Sequence, residues 1–204
     1  MDNAHSHVED DAKLVQIVDA ALADATRRSG TWLVCKPGCH QCCVGVFAIS
    51  QLDAERLRKG LAQLLTDDPA RAERVRSRVS GSLIRLQNEY PGDVVSGVLA
   101  EDDASQERFE EWGNDEVCPV LDPINGTCDL YGSRPMTCRT FGPPVRTNEG
   151  GFGVCELCFV DASPETVLDA EMNTDFLVLE EDLNRELEES TKRAGKTIVT
   201  FALR

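Results

Sequence analysis

Nine cysteines crowd into two short, turn-rich stretches of this 204-residue chain, and no other feature limits its fold as strongly. The first stretch reads CKPGCHQCC and holds four of them, while the other five lie between residues 118 and 158. A cysteine that serves only as a small buried hydrophobe usually stands alone, so this clustering needs another cause. The nine candidates are Cys35, Cys39, Cys42, Cys43, Cys118, Cys128, Cys138, Cys155 and Cys158.

The odd number of cysteines argues against a disulfide framework. The first residues, MDNAHSHVEDDAK, also lack the basic and apolar segments of a signal peptide. We therefore expect a cytoplasmic protein whose thiols stay reduced. No stretch approaches the roughly 18 apolar residues of a membrane-spanning helix, so no membrane partner is expected.

Two cysteine pairs have the C-x2-C spacing, Cys39 with Cys42 and Cys155 with Cys158. Two intervening residues let both sulfurs face one ion, and thiolates suit zinc, iron and iron–sulfur clusters. A thioredoxin-like redox pair is the alternative. That arrangement needs a helix directly after the pair, whereas VGVFAIS follows Cys43 without an obvious helical pattern.

Cys42 and Cys43 are adjacent, which limits how they can share an ion. Successive side chains diverge in extended backbone, so the two sulfurs are not expected to complete one tetrahedron. The simpler arrangement sends one sulfur to each of two sites, or uses one sulfur as a bridge. We predict two metal sites, or one bridged site, that share the first cysteine stretch and draw their other ligands from residues 118–158.

Helical patterns dominate outside the cysteine stretches. Apolar residues recur at helical spacing from Asp11 to Arg28, from Ser50 to about residue 65 and from Pro69 to about Glu89. Ser163-Pro164-Glu165 is typical of a helix start, and the pattern after it predicts one helix to about Arg193. The tail KTIVTFAL, residues 196–203, reads as a strand.

These elements predict a mainly α fold with irregular loops that metal holds together, or an α+β fold through the short C-terminal strand. Residues 1–10 are expected to form a disordered tail. Residues 11–204 are expected to form a single domain, with the cysteine-cluster region at 32–160 and a C-terminal helix plus strand at 163–204.

The net charge of −15, from 36 acidic and 21 basic residues, disfavours a nucleic-acid partner. The densest basic stretch, RAERVRSRVSGSLIR at residues 71–85, is interpreted as a solvated helix face. The predicted ligand is a metal ion. The acidic outer face of the C-terminal helix would offer a surface to a protein partner, and the sequence leaves the oligomeric state open.

Two motifs together resemble a known family. The first is C-x3-C-x2-C-C at residues 35–43, and the second is CPVLDPINGTCDLYGSRPMTCRTFG at residues 118–142. Their combination, over residues 32–160, resembles the YkgJ-type cysteine-cluster proteins, bacterial proteins that carry a zinc- or iron-chelating domain. A similar cluster occurs in the flagellin lysine N-methylase group.

The resemblance implies metal binding through the clustered cysteines. Seven cysteines match the family motif directly, and the last position falls on Cys155 or Cys158. The first spacing is three residues here, where many members have two. The resemblance implies no particular reaction.

A metal-binding protein is therefore the leading interpretation, and the alternative is a metal-dependent modifying enzyme or an iron–sulfur redox protein. The chain has no Gly-rich phosphate loop, no H-E-x-x-H and no G-x-S-x-G, and no residue is singled out as catalytic. Arg134 and Arg139 flank Cys138. They would either offset the negative charge of a thiolate site or pair with surface acids.

Overall fold

The computed structural model describes residues 2–36, 38–147 and 150–204, with side chains from Glu9 onward. The helices in these residues are α1 (Asp2–Ser29), α2 (Gln51–Asp67), α3 (Pro69–Leu86), α4 (Asp103–Glu111), α5 (Met136–Thr140), α6 (Pro164–Asp169), α7 (Phe176–Thr191) and α8 (Val199–Ala202). The strands are β1 (Gly92–Asp93), β2 (Val98–Leu99), β3 (Leu121–Asp122), β4 (Thr127–Cys128), β5 (Val145–Arg146) and β6 (Phe152–Gly153). They pair as antiparallel ladders of two strands, β1–β2, β3–β4 and β5–β6, so the prediction of a mainly α fold is confirmed.

The chain forms two compact units, and each is discontinuous in sequence. The first unit comprises Met1–Lys36 and Met136–Leu187, and the second unit comprises Pro37–Pro135 and Glu188–Arg204. The single domain expected at residues 11–204 stays a prediction. None of the described helices has both the length and the apolar composition that a membrane crossing needs.

The first unit is built around α1, whose buried face carries Leu14, Val18 and Ala25 at the predicted spacing. The helix begins at Asp2, earlier than predicted. The side chains of residues 1–8 lie outside the described residues, and the disordered tail expected at residues 1–10 stays a prediction.

The second unit is built on the helix pair α2 and α3. The Ser50 hydroxyl caps α2 by accepting a hydrogen bond from the Asp53 N–H at 3.1 Å, as predicted. Asp68 caps α3 by accepting a hydrogen bond from the Arg71 N–H at 3.0 Å. The apolar faces of both helices join loop residues and the C-terminal segment in one core, which comprises Ile49, Ala54, Leu57, Leu61, Ala72, Val75, Val79, Val120, Leu130, Val199, Ala202 and Leu203.

The C-terminal segment belongs to this core, and the prediction of a strand at residues 196–203 is wrong. Val199–Ala202 form α8, while Thr197 forms an isolated bridge with Ile49 through N–H···O bonds of 2.8 and 3.0 Å. Residues 197–203 are all buried. A short apolar run that is buried on all sides has no periodicity to separate a strand from a helix.

The helix predicted from Ser163-Pro164-Glu165 to about Arg193 is divided in two. Its start is confirmed, because the Ser163 hydroxyl accepts a hydrogen bond from the Thr166 N–H at 3.2 Å. The helix then ends at Asp169, and α7 begins only at Phe176. The prediction of one continuous helix is therefore wrong.

Local hydrogen bonds stabilise the break between α6 and α7. The Met172 N–H donates to the Pro144 carbonyl at 2.8 Å, and the Asn173 side-chain oxygen accepts from the Asp175 N–H at 2.8 Å. These hydrogen bonds satisfy backbone N–H groups outside a helix. An asparagine side chain commonly has this role.

Candidate metal centre

The thiols of Cys35, Cys155 and Cys158 form a compact group in the first unit. All three Sγ atoms lie within 4.8 Å of one another, and those of Cys35 and Cys158 are 3.9 Å apart. Cys155 and Cys158 are buried, whereas Cys35 is exposed. The structure thus joins the predicted C-x2-C pair to the first cysteine of CKPGCHQCC.

Backbone hydrogen bonds shape this group. The Cys158 N–H donates to the Cys155 carbonyl at 2.8 Å and closes the C-x2-C turn. The Phe159 N–H donates to the Trp32 carbonyl at 3.0 Å, which holds the turn against the chain that leads to Cys35. Because Phe159 and Trp32 are far apart in sequence, the sequence pattern gave no sign of the bond between them.

Gly142 lies against the same group. Its carbonyl accepts a hydrogen bond from the Cys155 N–H at 3.4 Å, and its φ of +127° is a conformation that side chains with a Cβ rarely adopt. A Cβ atom at this position would lie 3.3 Å from the Cys35 sulfur and 3.3 Å from Leu33 Cδ1. Glycine therefore provides both the backbone conformation and the space beside the thiol.

The sulfur separations suit a single ion. Four thiolates at about 2.3 Å from zinc form a tetrahedron with edges of about 3.8 Å. The Cys35–Cys158 distance of 3.9 Å is close to that edge. In a four-iron cluster each cysteine binds a different iron atom, which spreads the sulfurs further apart. The donor set of this group therefore fits one zinc or iron ion.

Cys138 is the fourth thiol of the first unit. It is half-buried in α5, four residues before Gly142. It lies outside the group of three sulfurs that are within 4.8 Å of one another.

Cys42 and Cys43 belong to the second unit and lie in a 3₁₀ turn, Gln41–Cys43. The Cys43 thiol donates a hydrogen bond to the Cys42 sulfur, which lowers the pKa of Cys42 to about 6. The expectation that these sulfurs diverge is wrong, because it assumed extended backbone and the turn brings the two side chains together.

Cys118 and Cys128 are partly buried against the core of the second unit. The Cys118 N–H donates to the Cys43 carbonyl at 2.8 Å, and Cys128 pairs with Leu121 in the β3–β4 ladder. Burial, together with the charges of the Cys128 and Cys42 thiolates, raises the pKa of Cys118 to about 12. Burial also raises the pKa of Cys128. No three described thiols of this unit lie within 4.8 Å of one another.

Backbone amides point at both of these buried sulfurs. The Val120 N–H donates to the Cys118 sulfur, and the Leu130 N–H donates to the Cys128 sulfur. Each bond lowers the pKa of its thiol, and each donor lies two residues after its cysteine. Such bonds stabilise a thiolate and orient it toward a cation.

The chain matches the family described as "CxxCxxCC: Putative zinc- or iron-chelating domain" over residues 34–156. This span covers more than half of the chain, includes Cys155 and ends before Cys158. The chain belongs to this family. The predicted relationship to a cysteine-cluster family is thus confirmed for the CxxCxxCC domain, while no curated protein and no solved structure matches the chain.

Asp129 is a buried carboxylate next to Cys128 in the CxxCxxCC domain, and no sequence pattern singled it out. Its side chain is 2% exposed and pairs with Arg71 and Arg78 of α3. Arg78 also donates to the Pro119 carbonyl at 2.8 Å. The buried anion therefore fastens the cysteine-bearing loop to α3.

The sequence predicted that the arginine-rich face of α3 is solvated, but three of its arginines pair with acidic side chains. Arg71, Arg78 and Arg85 are seven residues apart, a spacing that places them on one helix face. Arg85 pairs with Glu116 through two bonds of 3.0 and 2.7 Å. The seven-residue spacing indicated that these arginines share one helix face. That face binds Asp129 and Glu116, two acidic residues of the cysteine loop.

Arg134 and Arg139 take different roles in the CxxCxxCC domain. Arg134 lies 3.7 Å over the Tyr131 ring, and its charge lowers the pKa of Cys42 and of Cys128. This corresponds to the predicted charge offset, but at other thiols than Cys138.

Arg139 follows the other predicted alternative, pairing with an acid. It is 2% exposed and donates to Asp19 of α1 at 2.7 Å. This pair connects α5 to α1 within the first unit.

Cys39 is half-buried, and no described contact joins it to another thiol. The C-x2-C spacing predicts a pairing with Cys42, which the described contacts do not include. The neighbouring His40 directs its Nδ1 to the Gly38 carbonyl, 3.0 Å away.

Proposed function

We propose that this protein binds two zinc or iron ions through cysteine thiolates, one ion in each compact unit. The observation that carries the proposal is the group of Cys35, Cys155 and Cys158, with its 3.9 Å sulfur separation. Membership of a zinc- or iron-chelating family supports it.

The first site would consist of Cys35, Cys155 and Cys158, with Cys138 as the fourth ligand. Cys138 is the remaining thiol that the structure describes in the first unit. A closed set of four thiolates is the usual form of a structural zinc site.

The second site would consist of Cys42, Cys43, Cys118 and Cys128. The hydrogen bond between the first two thiols, the amide donors to the other two and the nearby Arg134 would each stabilise a thiolate there, against the burial that raises the pKa of Cys118 and Cys128. The CKPGCHQCC stretch would then serve both sites, and Cys39 would be the thiol that binds neither ion.

The role of the ions would be structural. The pocket that Cys118 lines has a volume of about 20 Å³, which is room for one water molecule rather than a substrate. The cysteine loops are rich in proline and glycine, and the described elements of residues 118–160 are strands of two residues and helices of at most five, so bound ions would supply much of their order. Such a protein would work in a reducing compartment such as the cytoplasm.

Metal analysis of tag-free protein purified without oxygen tests the proposal. We expect two ions per chain for the wild type and one ion for each of two double variants, Cys155→Ser with Cys158→Ser and Cys118→Ser with Cys128→Ser. Cys39→Ser is the matched control and is expected to keep both ions. An absorption spectrum identifies the metal, because zinc thiolates are colourless in the visible range and iron thiolates absorb there.

A wild-type ratio that stays at one ion or below would contradict the two-site proposal. Loss of both ions in both double variants would indicate one bridged site instead. Acid-labile sulfide in stoichiometric amount would indicate an iron–sulfur cluster and favour the redox alternative.

A further inference from the structure

The second unit contains a pocket of about 440 Å³ whose described lining includes no cysteine. Its volume falls within the roughly 300–1,000 Å³ that is typical of small-molecule sites. Four cationic side chains line it, and none of the described lining residues is acidic. The four are Arg58, Lys192, Arg193 and Arg204.

These cations come from separate parts of the chain and converge. Arg58 lies on α2, Lys192 and Arg193 follow α7, and Arg204 follows α8. Burial lowers the pKa of Arg58 most, and the charges of Arg193 and Arg204 lower it further. Glu55 raises the pKa of Arg58, so the repulsion among these cations is offset only in part, and a bound anion would offset the rest.

The acids near this cluster offset its charge only in part, because each also has other partners. Glu55 lies 3.7 Å from Arg58, and it also lies 3.7 Å from Lys59. Asp93, whose charge acts on Arg204, accepts two backbone N–H groups of its own turn, each at 3.0 Å. Neither carboxylate lines the pocket.

Lys192 and Arg193 leave their charges available to a ligand. Both are exposed, and neither forms an ion pair with a residue that the structure describes. Lys192 has a φ of 56°, just after the end of α7, where glycine is the usual residue. A lysine therefore occupies a backbone position that favours glycine, and it lines the pocket.

We propose that this pocket binds a small molecule that carries two or more phosphate groups. Guanidinium groups bind phosphate oxygens bidentately, and three arginines line the pocket. Arg204 also donates to the Val94 and Val95 carbonyls and Arg58 to the Ala202 carbonyl, so Arg193 would be the main bidentate group and the other two would contribute mostly charge. A phosphate monoester carries a charge of about −1.5 to −2, so two phosphates match four cations. Phe201 also lines the pocket and would contact the organic part of the ligand.

Calorimetric titration of the metal-loaded full chain with inorganic pyrophosphate tests this inference. The pocket variant combines Lys192→Gln with Arg193→Gln. The control combines Arg74→Gln with Arg76→Gln, which removes the same charge from exposed positions of α3 outside the pocket. We expect at least about tenfold weaker binding for the pocket variant, because it loses two charge-assisted contacts, and wild-type binding for the control.

Citrate, a polycarboxylate of similar charge, is expected to bind more weakly than pyrophosphate. Metal content is measured after each titration, so that removal of the ions is not mistaken for binding. The single variant Lys192→Gln, at an exposed side chain, replaces the double variant if that one does not fold.

Several results would overturn the inference: no pyrophosphate binding by the wild type, equal weakening in the pocket and control variants, or citrate binding as tightly as pyrophosphate. A single-stranded oligonucleotide that binds more tightly than pyrophosphate, and only when the pocket is intact, would assign the pocket to nucleic acid instead.

Discussion

The Sγ atoms of Cys35 and Cys158 lie 3.9 Å apart, although the two residues are 123 positions apart in the sequence. One ion bound to both would close a loop of that length. A covalent link across about 100 residues stabilises a fold by roughly 4.7 kcal/mol in the chain-entropy model. The buried cluster around these thiols is small, since it comprises Cys155, Cys158, Phe159 and Ala170. A shared ion would therefore contribute a large part of the stability of this region of the first unit.

Removing the metal is expected to destabilise the protein by at least about 4 kcal/mol, because binding free energy at such sites becomes folding free energy. Thermal melting by circular dichroism, before and after chelation under reducing conditions, measures the change. Restoring the metal is the control and should restore the transition. An unchanged melting curve after verified metal removal would show that the ions are not structural.

Gly142→Ala is expected to weaken metal binding at the first site. The new methyl group would meet the Cys35 sulfur at 3.3 Å, and the φ of +127° would be strained as well. Gly150→Ala is the matched control, since Gly150 also has a positive φ, +84°, but has open space around its Cβ position.

We expect Gly142→Ala to destabilise the protein by about 1–3 kcal/mol more than Gly150→Ala, since only the first change crowds neighbouring side chains. Urea unfolding measures this difference, and a chelator competition measures metal affinity. Equal affinities for the two variants would show that the space beside Cys35 is irrelevant to the site.

Asp129→Asn is expected to lower the free energy of unfolding by about 3–5 kcal/mol, because it leaves the Arg71 and Arg78 charges without their buried partner. Glu116→Gln makes the same chemical change in a pair whose arginine, Arg85, is exposed. That control should lower the free energy of unfolding by less than Asp129→Asn does, because one arginine loses its partner instead of two and that arginine is well solvated. Urea unfolding of the metal-loaded variants distinguishes the two, and similar losses would mean that Asp129 does not fasten the cysteine loop.

The buried hydroxyl of Tyr90 predicts that the protein loses stability in alkaline solution. Burial raises the pKa of its hydroxyl above the ordinary value of 10.0, and the hydroxyl donates to the Gly97 carbonyl at 2.7 Å. Above pH 10 the unfolded chain therefore loses this proton while the folded chain keeps it. The contribution of Tyr90 to the free energy of unfolding is complete below pH 10. It falls as the pH rises above that value, by up to about 1.4 kcal/mol per pH unit.

Tyr90→Phe should therefore flatten the decline of unfolding free energy between neutral and strongly alkaline pH. At neutral pH the variant is expected to lose about 1 kcal/mol with the hydrogen bond. Urea unfolding at both pH values measures the two slopes. Parallel declines for the variant and the wild type would exclude Tyr90 as the titrating group.

Features decided by a few neighbouring residues could be predicted from the sequence. The Ser50 and Ser163 caps are of this kind, since a hydroxyl before a helical pattern needs only the N–H three residues later. The C-terminal segment at residues 197–203 could not be predicted, because its conformation depends on a core that surrounds it.

The candidate site likewise has features that the sequence predicted and features that it did not. The cysteine clusters indicated a metal from their spacing alone. The sequence did not predict which thiols come together. The Cys35–Cys158 contact depends on backbone hydrogen bonds between residues that are far apart in the sequence. The relation of Cys42 to Cys43 was predicted wrongly, because it depends on a local 3₁₀ turn that no pattern marked.

The interleaved order of the two units has a consequence for synthesis on the ribosome. The first unit needs residues 136–187 and the second needs residues 188–204, so residues 37–135 are synthesised before the first unit can close, and residues 136–187 before the second can. Cys35 emerges 120 residues before Cys155. At about 5–20 residues per second, this interval lasts on the order of ten seconds. During that time Cys35 lacks Cys155 and Cys158, the thiols that lie beside it in the folded first unit, and its own thiol is open to oxidation unless a reductant or a metal ion protects it.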